Sequence, residues 1–157
     1  MTLSPRVWLA GMVAVPVGAV GSALFTQHGL GMMPCPWCVL QRLIFLTVAA
    51  AALLGLLLPG ARGRRSGAAL ALVLALAGVA AALWHHFVAT LSVSCNQTLA
   101  DKVMGFTGLD SALPEVFAAY ASCGDKATLL GQPYEFYSLT LFALLSLAAW
   151  RVVLRPA

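Results

Sequence analysis

Four long apolar stretches dominate this chain and decide what it can fold into. They lie near residues 7–25, 39–58, 68–88 and 136–154, and each is close to the ~20 residues that a helix needs to cross a bilayer. The stretches are continuous and rich in Ala and Leu, without the alternation typical of membrane β-strands. Only 9% of the residues are charged, whereas soluble domains carry about a quarter. The sequence therefore predicts an all-α membrane protein, a four-transmembrane-helix bundle forming a single domain over residues 1–157.

Basic residues predict the orientation of the bundle, because Lys and Arg accumulate on the cytoplasmic side of membrane proteins. Six of the nine lie on one predicted side: Arg6, Arg62, Arg64, Arg65, Arg151 and Arg155. The opposite side carries two loops, near 26–38 and 89–135, and the longer loop holds all five acidic residues. We expect both termini in the cytoplasm and both loops outside it. The net charge of +4 follows from this topology and gives no reason to predict nucleic-acid binding.

The first apolar stretch also has features of a cleavable signal peptide. Arg6 precedes it, and small residues occupy positions 21–23, as they do near signal cleavage sites. The stretch is long for the apolar core of a signal, so we predict an uncleaved first helix. N-terminal sequencing of the purified protein tests this prediction.

Four cysteines fall on the predicted extracytoplasmic side. Cys35 and Cys38 form a CxxC motif at the outer end of the second span, and Cys95 and Cys123 lie in the long loop. An even number of cysteines in an oxidising compartment indicates disulfides. Cysteines at i and i+3 can close a disulfide with little backbone movement, and the thiolate is the form that attacks other disulfides. The four cysteines are therefore candidate catalytic residues for thiol–disulfide exchange.

Two other interpretations of the cysteines stay open from spacing alone. The pairs could be structural staples, which explains Cys95 and Cys123 about as well as redox function does. A CxxC bridge, in contrast, closes almost no loop and adds little stability. Four cysteines could also bind zinc, but 27 residues separate Cys95 from Cys123, unlike the close pairs of structural zinc sites. We predict no metal.

Arg42 lies about one turn inside the second span, where an arginine costs a few kcal/mol unless it snorkels or finds a partner. It is either an interfacial anchor or a residue that stabilises a thiolate or a polar cofactor headgroup. Cys38 and Arg42, at i and i+4, share a helix face. A cofactor at this position would contact both.

The electron acceptor is predicted by exclusion and by location. The chain has no Rossmann glycine motif and no c-type haem attachment motif, so a lipid-soluble quinone fits best. His85 and His86 lie near the outer end of the third span, at roughly the depth of Arg42. His86 is the candidate quinone contact, and the alternative is a histidine bonded to a neighbouring helix.

At this point the chain resembles the DsbB family, quinone-dependent disulfide-generating proteins of the bacterial inner membrane. The most specific element is Cys-Pro-Trp-Cys-Val-Leu-Gln-Arg at 35–42, a CxxC with an arginine four residues after it. Cys-Gly-Asp at 123–125 and Leu-Gly-Gln-Pro at 130–133 add to it. Together with four spans and a long loop containing Cys95, the resemblance covers most of the chain.

This resemblance implies an electron route. A periplasmic DsbA-like thioredoxin-fold protein would attack Cys95, Cys123 would leave and engage Cys35, and Cys38 would face the quinone with Arg42 supporting it. The quinone would be ubiquinone or menaquinone, and all four cysteines would lie on the periplasmic side. The rival interpretations are a related oxidoreductase that serves a dedicated substrate, and a structural membrane protein whose loops are stapled by disulfides.

Residues 109–120 of the long loop show helical spacing of apolar side chains at Leu113, Val116, Phe117 and Tyr120. This pattern predicts a short amphipathic helix on the membrane surface. Such a helix would hold Cys123 near the bilayer; the alternative is plain packing of the loop on the bundle.

Overall fold

The computed structural model describes residues 4–91, 97–122, 124–125 and 127–154. Four of its helices are long and apolar enough to cross a membrane, which confirms the predicted all-α four-helix membrane protein. Within the described ranges the elements are α1 (Pro5–Leu30), α2 (Pro36–Leu57), α3 (Gly60–Phe87), a 3-10 turn (Ala89–Leu91), α4 (Leu99–Thr107), α5 (Leu109–Ala112), α6 (Pro114–Phe117), β1 (Thr128–Leu129), β2 (Gln132–Pro133) and α7 (Tyr134–Val153).

The long helices extend beyond the apolar stretches from which they were predicted. The largest difference is at α3, which begins at Gly60 instead of near residue 68. Arg62, Arg64 and Arg65 consequently lie in its first turns, and not in a connection as expected. Arginine is a good helix former, and its long side chain can reach the polar interface from a helix end. The helix therefore continues past the point where the apolar stretch stops.

Local signals explain where the first two helices begin and end. Ser4 caps α1 by accepting a hydrogen bond from the backbone N–H of Val7. Pro5 and Pro36 occupy the first positions of α1 and α2, where a missing N–H costs nothing. α1 ends at Leu30, and Gly31 is its C-cap. The φ of 67° at Gly31 is left-handed, a conformation that glycine adopts most readily. Only a short segment therefore connects α1 to α2.

Small residues allow the long helices to pack closely. α3 packs against α2 and α7, and α1 packs against α2 and α7. A Cβ at Gly67 of α3 would overlap the backbone of Gly55 of α2, and one at Gly78 would overlap the ring of Phe142. Phe142 is in turn stacked on Phe45, with ring centroids 3.9 Å apart. Close backbone approach at small residues is a common mode of helix association in membranes.

The long loop differs from the prediction in one respect. The single helix expected over 109–120 is instead two separate turns, α5 and α6, that meet at Leu113. Pro114 follows, and proline disfavours helical backbone in the residue before it; Leu113 has φ −134° and ψ 65°. The amphipathic helix of this loop is α4, which a Thr98–Asp101 capping box begins.

The loop returns to the bundle through a small hairpin. β1 pairs antiparallel with β2, Leu129 opposite Gln132. The two residues between the strands, Leu130 and Gly131, both have positive φ, as in the type I′ turns that suit hairpins. The hairpin leads directly into α7, and so places the start of that helix at the end of the bundle where Cys35 lies.

Candidate functional site

The CxxC motif forms the beginning of α2. Cys35 is the N-cap, and its Sγ accepts a hydrogen bond from the backbone N–H of Cys38, with N and Sγ 3.2 Å apart. The two Sγ atoms are 2.6 Å apart. Cys35 is 4% exposed, and Cys38 is half-buried. Because a helix N-terminus carries partial positive charge, this position stabilises negative charge on the sulfur.

His85 of α3 joins the cysteine pair from the neighbouring helix. Its Nε2 lies 3.4 Å from Cys35 Sγ, and its Nδ1 lies 3.4 Å from Nε2 of Gln41. The Sγ atoms of both cysteines and a ring nitrogen of His85 all lie within 4.8 Å of one another. Two thiols and an imidazole, which can donate or accept a proton, are thus in direct contact.

Arg42 is buried one turn further along α2, with 6% of its surface exposed. Its Nη1 donates to Gln27 Oε1 at 2.7 Å and to the carbonyl oxygen of Val116 at 2.9 Å. Both acceptors are neutral, and among the described residues no carboxylate forms an ion pair with Arg42. Within the described part of the chain, no carboxylate therefore offsets the positive charge of this guanidinium, and Nε and Nη2 still carry N–H donors for a ligand.

A cavity of about 270 Å³ adjoins these residues, between α1, α2, α7 and the end of α3. Most of its wall is apolar, including Val20, Phe45 and Leu141. Its polar lining includes Cys38, Gln41, Arg42, His85, Tyr134 and Glu135. Apolar walls with a few convergent polar groups are typical of small-molecule sites.

The cavity is closed on one side by the segment that leads into α7. Ala127 and Leu129 contribute to its lining, and the Tyr134 N–H donates to the Ala127 carbonyl. The Tyr134 hydroxyl lies 3.3 Å from Thr26 Oγ1, which ties this segment to the end of α1. The hairpin thus holds the start of α7 against the cavity.

His86, the histidine predicted from sequence as a cofactor contact, directly follows His85 on α3 but has different contacts. Its Nδ1 is 2.9 Å from Glu135 Oε1, and its ring packs against Phe136. His85, one residue earlier, lines the cavity instead. The cofactor role of His86 stays a prediction, and the geometry makes His85 the better candidate.

Cys95 and Cys123, the two loop cysteines predicted to be catalytic, lie outside the described residues. The nearest described segment before Cys123 is nevertheless fixed next to the CxxC motif. The backbone N–H groups of Tyr120 and Ala121 donate to the carbonyl oxygen of Pro34, at 2.9 and 3.1 Å. Pro34 directly precedes Cys35.

The predicted set lacked several residues of the site, among them Gln27, Gln41, His85 and Tyr134. The sequence signal that could have identified them is a polar side chain at the end of an apolar stretch, on the predicted side of Cys38. Gln27 also donates from Nε2 to the Glu115 carbonyl at 3.3 Å. Together Gln27 of α1 and Arg42 of α2 hold α6 against these two helices.

One family model and several individual proteins match this chain, and their descriptions agree. A family model described as disulfide bond formation protein DsbB matches residues 5–152. Disulfide bond formation protein B of Aromatoleum aromaticum is 35% identical, over 97% of this chain and 94% of that relative. Disulfide bond formation protein B of Pseudomonas syringae pv. tomato is 31% identical, over 94% and 87%. Disulfide bond formation protein B 2 of Pseudomonas aeruginosa is 35% identical, over 87% and 86%.

Proposed function

Since this chain belongs to the DsbB family of disulfide bond formation proteins, we propose that it oxidises a periplasmic DsbA-like dithiol protein and transfers the electrons to a membrane quinone. The family makes it an oxidoreductase of disulfide formation. The observation that carries the finer proposal is the cavity that Cys38 and Arg42 share. A redox thiol, a buried cation and an apolar chamber meet there, at the end of four apolar helices.

The residues around the cavity fit a quinone. Its mostly apolar walls suit a lipid-soluble ring, and its polar groups can bind carbonyl oxygens. Arg42 has N–H groups left after its bonds to Gln27 and Val116, and the Tyr134 hydroxyl can donate a hydrogen bond. When bound, a quinone supplies an acceptor for two electrons and two protons.

The two cysteines of the motif have different roles in this proposal. Cys38 lines the cavity, so we assign it as the thiolate that faces the acceptor, with the positive charge of Arg42 favouring that thiolate. Cys35 packs on the other side, in an apolar cluster with Trp37, Ala81 and Ala100. We assign Cys35 to disulfide exchange with the loop cysteines.

We further propose that Cys123 reaches Cys35 and that Cys95 forms the mixed disulfide with the partner. The hydrogen bonds from Tyr120 and Ala121 to Pro34 support the first assignment. These bonds hold a described segment that ends within two residues of Cys123 in sequence against the residue that directly precedes Cys35. The family resemblance supports the second assignment.

We place His85, and not His86, among the cofactor-binding residues. Its ring lies between Cys35 Sγ and the cavity, where it can accept the proton that a thiol loses on oxidation and pass it to the chamber. For this transfer the Gln41 amide presents its oxygen to Nδ1–H after a rotation of the amide, which leaves Nε2 as the acceptor facing Cys35. His86 is held by Glu135 in this account.

The proposed setting is the bacterial inner membrane, with one domain, both termini in the cytoplasm and all four cysteines in the periplasm. The positions of Arg62, Arg64 and Arg65 support this orientation, because they lie at the start of α3 and the cysteine motif lies at the opposite end of the bundle. The side with more Lys and Arg is expected to be cytoplasmic.

A coupled assay tests the proposal. Purified protein is mixed with a reduced periplasmic dithiol protein and a soluble quinone analogue, and the quinone absorbance is followed. We expect the absorbance to fall with the unsubstituted protein and to stay constant with Cys38→Ala. Undiminished loss with Cys38→Ala would refute the role of this thiol.

A matched variant separates the two ends of the electron route. In Cys123→Ser, the Cys95 thiolate can attack the disulfide of the oxidised partner and displace one of its thiolates. The mixed disulfide between Cys95 and the partner is expected to accumulate, because the thiol of Cys123 that would resolve it is gone. Cys38→Ala retains that thiol and should release the partner. If both proteins behave as inert, with no mixed disulfide and no quinone loss even in the unsubstituted chain, the cysteines are structural staples instead.

A further inference from the structure

Cys35, Cys38 and His85, which have roles in the proposed electron route, also form a cluster of metal-ligating side chains. Their three candidate ligand atoms lie within 4.8 Å of one another. Thiolate and imidazole are the ligands that Zn²⁺ uses most often in proteins. The motif places two ligands on one helix turn, and α3 supplies the third from a different helix.

The distance between Cys35 and His85 matches that of a tetrahedral zinc site, and the distance between the two sulfurs is shorter. With Zn–S near 2.3 Å and Zn–N near 2.0 Å, a tetrahedral ion separates a sulfur from a nitrogen by roughly 3.5 Å. The distance from Cys35 Sγ to His85 Nε2 is 3.4 Å. The two sulfurs, now 2.6 Å apart, would need to separate to roughly 3.8 Å, which a rotation of the half-buried Cys38 side chain can provide.

Groups around the cluster provide the secondary contacts that metal ligands need. A histidine bound through Nε2 must have its Nδ1–H satisfied by an acceptor, and the Gln41 amide next to Nδ1 has an oxygen that serves after a rotation of its amide. Cys35 Sγ accepts the Cys38 N–H, which stabilises a thiolate ligand. The adjoining cavity leaves room for water as a fourth ligand.

Charge also favours a divalent cation at this position. Two thiolates in an apolar setting are costly, whereas two thiolates, a divalent cation and a neutral imidazole sum to zero charge. Arg42, already bonded to Gln27 and Val116, is therefore not repelled by the loaded site.

We propose that the reduced Cys35–Cys38 pair and His85 form a binding site for a thiophilic divalent cation, with Zn²⁺ as the representative ion. Binding replaces the two thiol protons by the metal: two S–H bonds break, two S–metal bonds form, two protons leave and no electrons are exchanged. The disulfide form has no thiolates and does not bind.

Since the ion binds only the reduced pair, it holds that pair reduced. At a free metal concentration of about 100 times Kd, linkage shifts the dithiol–disulfide equilibrium about 100-fold toward the dithiol. The site is consequently an inhibitory one. Binding of the ion requires the reduced pair and His85, and it requires neither quinone nor the partner protein.

The test uses the full chain in detergent with Cys95→Ser and Cys123→Ser, so that only the motif thiols remain. The reduced, desalted protein is titrated with Co²⁺ under argon, and the thiolate-to-metal absorption band is followed before Zn²⁺ displaces the Co²⁺. We expect one ion per reduced chain and none per oxidised chain. Absence of the thiolate band in the reduced chain would overturn the proposal.

His85→Gln and His86→Gln are the matched pair. Losing one of three protein ligands should weaken Zn²⁺ binding at least about 10-fold in His85→Gln, the range seen when metal-site groups are removed. His86→Gln should bind as the background protein does. Equal affinities in the two variants would show that the dithiol binds alone, against the proposed site.

A second measurement does not depend on how well a variant folds. X-ray absorption at the zinc edge of the loaded background protein should give two sulfur ligands near about 2.3 Å and lighter ligands near about 2.0 Å, with the multiple scattering of an imidazole. Coordination without sulfur, or without imidazole scattering, would contradict the assignment.

Discussion

Replacing Arg42 by methionine removes the buried charge next to Cys38 and keeps an unbranched apolar side chain at this position. Arg42 is 6% exposed, lines the cavity and is held by Gln27 and the Val116 carbonyl. Methionine can replace the packing of its apolar stem, but not its charge or its N–H donors. The substitution therefore asks whether the arginine serves the cofactor or only anchors the helix.

The expected size follows from the bond that is lost. A hydrogen bond to a charged group contributes about 1.5–3 kcal/mol, and about 1.4 kcal/mol corresponds to a factor of ten in affinity. Arg42→Met should therefore raise the apparent KM for a quinone analogue by about 10- to 100-fold. The single-turnover oxidation of the reduced partner by the loop disulfide, which precedes the cavity in the proposed route, should keep its rate.

Stability is a separate consequence of the same change. Gln27 Oε1 loses its donor, and an unsatisfied buried group costs about 1–3 kcal/mol. Gln27 still holds α6 through the Glu115 carbonyl, so the loop should stay docked. Arg42→Lys is the matched control, because it keeps the charge but loses the planar fork of donors; its KM should fall between those of the unsubstituted protein and Arg42→Met.

The assay measures both steps on one preparation. Steady-state quinone loss gives KM, and rapid mixing of the quinone-free protein with reduced partner gives the single-turnover rate. If Arg42→Met impairs the apparent quinone affinity and the single-turnover rate by equal factors, the reasoning is refuted. That result would mean that Arg42 is a membrane anchor whose loss disturbs the whole site. An Arg42→Lys protein as impaired as Arg42→Met would refute the assignment of the effect to charge.

Two further predictions concern stability, each followed by thermal unfolding in detergent. Gly67→Ala places a Cβ against the backbone of Gly55 and should cost about 1–3 kcal/mol by overpacking. Gly21→Ala, with nothing within 4 Å of the new Cβ, should be neutral or stabilising; equal costs would contradict close α2–α3 packing. Glu135→Leu removes the acceptor of His86 and should cost about 1–3 kcal/mol. Glu135→Gln keeps an acceptor and should cost less, and the reverse order would contradict the hydrogen bond.

The number and type of long helices could be predicted because the bilayer imposes a length on apolar segments. Their ends could not. α1 continues to Leu30 and α3 starts at Gly60, since helical hydrogen bonding does not stop where the apolar stretch stops. The same limit applies to 109–120, where apolar spacing predicts a helix but Pro114 divides the segment into two turns.

The site was predictable where it depends on local spacing. Cys35, Cys38 and Arg42 share one helix, so their proximity follows from helical geometry. Gln27 and His85 join them only through tertiary packing, which local spacing does not contain. Neighbouring helix residues point about 100° apart, and the apolar residues of α3 from Ala68 to Trp84 do not define one buried face by their sequence pattern. The rotation of α3, and with it the choice between His85 and His86, depends on packing against α2 and α7.

The stoichiometry of the coupled reaction tests the central proposal most directly. Quinone analogue reduced and disulfide formed in the partner are measured in the same sample, by absorbance and by thiol titration, with the unsubstituted protein and with Cys38→Ala. Forming a disulfide from two thiols releases two electrons, and a quinone accepts two. We therefore expect one quinone reduced for each disulfide formed. With Cys38→Ala we expect neither product beyond the first turnover. Disulfides formed without loss of quinone, or quinone lost without formation of disulfides, would contradict the proposed electron route.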